Sequence, residues 1–115
     1  MFYARNNAIS LIKIKMNQYL YLLKPARLGM VTEGPTPEEA ETLSRHFAYL
    51  QDLTDKGVMI LVGRTQNSDE TTFGIAIFEA EDESAAQMIM ETDPVVRAGV
   101  MRADLYPYQI ALMRK

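Results

Sequence analysis

Along the chain, short apolar runs alternate with two longer stretches in which apolar residues recur every three or four positions. The first run, NQYLYLLK over 17–24, carries Tyr19, Leu20, Tyr21, Leu22 and Leu23 and stops at Pro25. It reads as a strand with apolar groups on both parities, so both of its faces need cover. A loop punctuated by Gly29, Gly34 and Pro35 follows. Thr36, Pro37 and Glu39 then form a capping-box signature, which predicts a helix from about Pro37 to Lys56. Ala40, Leu43, Phe47, Leu50 and Thr54 are its expected inward stripe.

In VMILVGR, Val58 to Arg64, a continuous apolar run bounded by Gly57 and Gly63 predicts a buried strand. TQNSDETT is a hairpin loop, and FGIAIFE, Phe73 to Glu79, is the next strand. Gly74 and Ala76 share one face of it, which suggests close packing there, and Phe73, Ile75 and Ile77 share the other. A second helix is expected from Asp82, with Ala85, Met88, Ile89 and Thr92 inward. It stops at Thr92-Asp93-Pro94, because proline disfavours helical geometry in the residue before it. A short turn, VVRAG, leads to a last strand from about Ala103 to Met113.

The order β-α-β-β-α-β predicts an α+β, ferredoxin-like fold: a four-stranded antiparallel sheet with two helices on one face. Two helices cannot cover both apolar faces. The open face is therefore expected to pack on the same face of a second copy, making a homodimer. Residues 17–115 form this domain, and residues 1–16 are expected to be a poorly packed extension.

Composition narrows the function. The 115 residues are 48% hydrophobic and carry a net charge of −3, an ordinary globular balance that argues against nucleic acid as a partner. The absence of cysteine excludes disulfides, thiolate metal sites and thiol nucleophiles. With one histidine, a metal site would need carboxylates for nearly all its ligands, and none is expected. No apolar run is long enough to span a membrane, and Lys13 and Lys15 break any signal-peptide core. A soluble, cytoplasmic protein is the expectation. GxGxxG, the P-loop and GxSxG are all missing.

The lone histidine, His46 in RHFAYL, is the group best suited to proton transfer near neutral pH. By helical phase it lies roughly 60–70° from the centre of the expected stripe, at the edge of the core. Arg64, at the end of a strand, and Arg27, in the first loop, are candidates to hold an anionic substrate. Tyr49 is a third candidate for contact with substrate, and is otherwise a surface aromatic or part of the contact with a second copy.

From about Met16 onward the chain resembles the YCII-related (YciI-like) family. The resemblance rests on a first strand ending in KP, on RHFAYL, on GVMILVGRT, and on FGIAIFEAEDESAAQMIMETDPVVRAGV, in that order. It implies a dimeric α+β barrel and an active-site pair made of the histidine of the HxxYL segment and the aspartate of the DP step, here His46 and Asp93. Activities in this family and in related barrels include dehydrochlorination of a chlorinated hydroxyquinol and isomerisation of muconolactones. Many members carry an aromatic residue after the DP step, where this chain has Val95, which would alter the pocket wall. Asp93 also has a purely structural explanation as a helix cap. The expectation is a cofactor-independent enzyme of the elimination or isomerisation class, with His46 as acid/base and Asp93 orienting it. Its rivals are a non-catalytic small-molecule-binding or regulatory dimer module, and a purely structural dimer.

Overall fold

The computed structural model describes residues 16–115. The expectation about residues 1–16 falls almost entirely outside them. Four strands form one antiparallel sheet: β1 (Asn17–Pro25), β2 (Met59–Arg64), β3 (Gly74–Ala80) and β4 (Met101–Tyr108), in the order β2-β3-β1-β4. Two longer helices, α2 (Pro37–Asp55) and α3 (Glu83–Thr92), and two single turns, α1 (Gly29–Thr32) and α4 (Pro94–Arg97), complete the domain. This is the ferredoxin-like α+β arrangement that the element order implies.

Register decides which strand residues face the helices. Tyr19, Tyr21 and Leu23 of β1 pair with Phe78, Ala76 and Gly74 of β3, and all six are buried. They form the core with Leu50 of α2, Met90 of α3 and Val95 of α4. The opposite parity carries Leu20, Leu22, Ile75 and Ile77 in the middle of the sheet. Leu61 on one edge strand and Tyr106 and Tyr108 on the other extend that apolar face, and all three are exposed.

Local chemistry sets the ends of the helices. The Thr36 side chain accepts from the Glu39 N–H and the Glu39 carboxylate accepts from the Thr36 N–H, so the capping box closes on itself. Asp82 caps α3 through the Ala85 N–H. Gly57, at positive φ, follows α2.

Four expectations are corrected. In α2 the inward row is Leu43, His46, Leu50 and Leu53, whereas Ala40, Phe47 and Thr54 face outward, Phe47 at 68% exposure. His46 therefore lies at the centre of the inward face instead of at its edge. In α3 the buried residues are Ala86 and Met90, and Met88 and Thr92 are exposed. The β2 segment is a sheet edge rather than a buried strand: only Met59 is buried, and Leu61 and Val62 are exposed. An unbroken apolar run cannot by itself distinguish a central strand from an edge strand whose second face awaits cover. Finally, β4 spans Met101–Tyr108, so Ile110 and Leu112 lie beyond the sheet.

Candidate functional site

The two helices bring His46 and Asp93 together. His46 comes from the inward row of α2. Asp93 is the next residue in the buried row Ala86, Met90 of α3, at the joint where α3 ends and α4 begins. Pro94 forces that joint, and the Asp93 side chain caps the new turn by accepting from the Val95 N–H at 3.1 Å. Although 47 residues apart, the two side chains meet: His46 Nδ1 lies 2.7 Å from Asp93 Oδ1 and 2.9 Å from Oδ2.

Asp93 is completely buried. A carboxylate can survive there only because donors surround it. Tyr21 O–H donates to Oδ2 at 2.8 Å, and the Val95 N–H and the His46 ring supply the rest. Because Asp93 is the acceptor, the proton on the imidazole is assigned to Nδ1. Nε2 is then the ring nitrogen left for other chemistry, and it forms no hydrogen bond to a described residue. Burial raises the Tyr21 phenol far above its ordinary value, and the Asp93 charge adds to this, so Tyr21 remains a donor. The phenol of Tyr49 is raised to about 12, first by burial and then by Asp93.

The His46 side chain keeps 17% of its surface and lines a cavity of about 690 Å³. The cavity lies between α2 and the end of the sheet where β1 finishes and β3 begins, with residues of α1 and of the hairpin loop also lining it. Its walls are mostly apolar, with Leu23, Leu43 and Leu50 inside and Phe47 and Phe73 at more exposed positions. The small residues Gly74 and Ala76 lie along its floor. A Cβ on Gly74 would stand 3.3 Å from the Gly63 carbonyl, so bulk there would press on the neighbouring strand.

Of the other candidates, Arg64 is in the cavity wall and takes part in none of the ion pairs among the described residues. Arg27 is outside it and is held by Glu39 through two hydrogen bonds, of 3.0 and 2.7 Å. Tyr49 is also outside; its hydroxyl donates to the Ile89 carbonyl at 2.7 Å and ties α2 to α3. Val95 is fully buried in the core and forms no part of the cavity wall. Phe47, in the cavity wall, and Tyr21, bonded to Asp93, are site residues outside the sequence-based candidates. The parity of β1, which puts Tyr21 with Tyr19 and Leu23 on one face, could have marked Tyr21 as inward. Among the described residues no cluster of three or more possible metal ligands occurs, and no helix is long and apolar enough to cross a membrane.

Fold and site together define a small ferredoxin-like protein with a buried His–Asp pair beside an apolar cavity. The chain belongs to the YCII-related family, whose domain model matches residues 18–107. Its fold is similar to that of 5-chloro-2-hydroxyhydroquinone dehydrochlorinase from Burkholderia phenoliruptrix AC1100, solved in complex with 2,5-dihydroxybenzoquinone. That comparison gives a TM-score of 0.57 at 21% identity, covering 79% of this chain and 93% of the other. An uncharacterised protein from Thermotoga maritima matches with a TM-score of 0.52 at 9% identity, covering 83% of this chain and all of that one. A comparison with curated proteins finds no match.

Proposed function

We propose that this protein is a small-molecule enzyme in which His46 is the general acid/base and Asp93 orients it. The observation that carries this reading is the geometry of the imidazole. Nδ1 is committed to a buried carboxylate, and the ring borders the cavity. A fixed tautomer leaves Nε2 as the basic nitrogen, ready to take a proton from a bound molecule and return it elsewhere. Such a pair suits elimination or isomerisation, and the reading uses no cofactor. The dehydrochlorinase, whose fold is similar, catalyses an elimination, which fits this class. Arg64 is the wall residue proposed to contact substrate; Arg27 and Tyr49, both tied to other elements, are proposed only to support the site's frame. The working unit is proposed to be a homodimer joined through the open sheet face.

The test is deuterium exchange and turnover on a panel of carbon acids, lactones and halogenated hydroquinols. Turnover by the wild-type protein is expected on at least one compound. His46→Ala should reduce it by about 10²–10⁴-fold, and Asp93→Asn should also reduce it. Saturable binding unaffected by either substitution, with no turnover anywhere in the panel, would instead identify a non-catalytic binding module.

A further inference from the structure

The charge lining of the cavity is one-sided. Asp93 is the carboxylate nearest the imidazole, but it is fully buried, accepts from Tyr21, Val95 and His46, and does not reach the wall. Among the described residues, no other acidic residue lines the cavity. The charged or chargeable side chains that do are His46 and Arg64, and Arg64 has no ion-pair partner among the described residues. The polar groups of the hairpin loop do not compensate. Thr72, the buried one, donates to the Asn67 carbonyl and accepts from the Asp69 N–H, so its hydroxyl is already used.

A cationic ligand would find no counter-charge in this cavity. A neutral apolar ligand would make no use of the guanidinium, which would simply stay hydrated at its exposed position. We infer that the cavity takes a small organic oxyanion with a mainly apolar body, its charge held at Arg64 and its reacting carbon beside His46. This inference rests on the reading of the cavity as a substrate site and adds the chemical class of the substrate.

Two further features fit. Arg64 is exposed, at the end of β2, so an oxyanion bound there keeps part of its hydration and pays little for desolvation. A guanidinium presents a planar fork of donors that matches a carboxylate or an enolate with two hydrogen bonds. The leucine-rich interior then accepts the apolar body. The volume of about 690 Å³ is in the range of pockets that hold ordinary small-molecule ligands.

The experiment uses matched pairs on the full-length protein: benzoate, phenylacetate and hexanoate, each against its primary amide. Binding is followed by NMR through the ring signals of His46, the chain's single histidine, and through the backbone amide of Gly74 on the cavity floor. The acids are expected to shift both signals saturably, with affinity about tenfold above that of the amides. Added salt should weaken the acids and leave the amides unchanged. Arg64→Gln should bring the acids down to the level of the amides, and Arg64→Lys should retain part of the preference. Equal binding of acids and amides, or a preference that survives Arg64→Gln, overturns the anion assignment and leaves the cavity standing as a ligand site. If neither acids nor amides move either signal, the substrate-site reading fails, and the anion assignment with it.

Discussion

At the scale of single residues, Asp93 performs two tasks with one carboxylate. Oδ1 caps α4 through the Val95 N–H and meets the His46 ring, and Oδ2 accepts from Tyr21. Capping would have explained an aspartate before proline without any function, but it does not explain why two further donors converge on the same buried group. The Tyr21 ring packs in the core, but its hydroxyl has no other hydrogen-bond partner among the described residues. Tyr21→Phe removes one hydroxyl and leaves a buried carboxylate short of a donor, so it should lower stability by about 1–3 kcal/mol, measured by urea unfolding. An unchanged midpoint would mean that the Asp93 oxygen finds another partner. The phenols also predict alkaline behaviour. Tyr49 has a folded pKa raised to about 12, so the stability linked to its neutral form is complete below the ordinary phenol value of 10.0 and is lost as pH rises through about 12. Tyr21 is raised further in the same direction. In a spectrophotometric titration these two phenols should ionise last, with or after alkaline unfolding. Tyr49→Phe should remove one phenol from that late signal. Ionisation of every tyrosine in a single step near the ordinary value would contradict this.

At the scale of elements, what was legible in the sequence was whatever rests on local chemistry. Thr36 with Glu39, Asp82, and the stop at Asp93-Pro94 all set helix ends where expected, because a cap needs only its own neighbours. The phase of α2 was not legible in the same way. Hydrophobicity favours Phe47 as an inward residue and His46 as a flanking one, yet the reverse holds. A histidine can occupy the centre of a buried face if an acceptor waits there, and that acceptor, Asp93, belongs to another part of the chain. The contrast is measurable. Phe47→Ser should change stability by no more than about 0.5 kcal/mol, whereas Leu50→Ala, on the true inward row, should cost about 2–5 kcal/mol. Chemical denaturation of both variants compares them directly, and a Phe47 variant as damaging as the Leu50 variant would restore the other helical phase. The start of α2 carries its own pH signature. Hydrogen bonds from Arg27, then the Thr36 N–H, hold Glu39 down at about 2. Its clasp is present above the ordinary carboxyl value of 4.5 and is lost as pH falls toward about 2. The amides of Glu39 and its neighbours should therefore remain protected in mild acid, and Glu39→Gln should abolish that dependence.

At the scale of the whole molecule, the strand order explains both the site and the surface left over. Placing β1 and β3 in the centre of the sheet puts Tyr21 directly beneath the joint of α3 and α4, and among the described residues the helices all serve to bury that one face. The other face keeps Leu20, Leu22, Ile75 and Ile77, with Leu61 at 51% exposure on one edge and Tyr106 and Tyr108 exposed on the other. Because these residues span the sheet from edge to edge, a second copy related by a two-fold axis can meet them with the same set of residues, as an isologous interface requires. None of them belongs to the His46–Asp93–Tyr21 network, which is made within a single chain. Assembly and the pair should therefore be separable. Leu61→Asp combined with Ile75→Lys, on neighbouring strands of the open face, should convert a dimer into a monomer in analytical ultracentrifugation. The same variant should preserve the slow hydrogen exchange of Val95, whose amide is held by Asp93. A wild-type protein that sediments as a monomer at micromolar concentration would remove the dimer from the proposal. Loss of Val95 protection on dissociation would show instead that the partner helps to hold the site together.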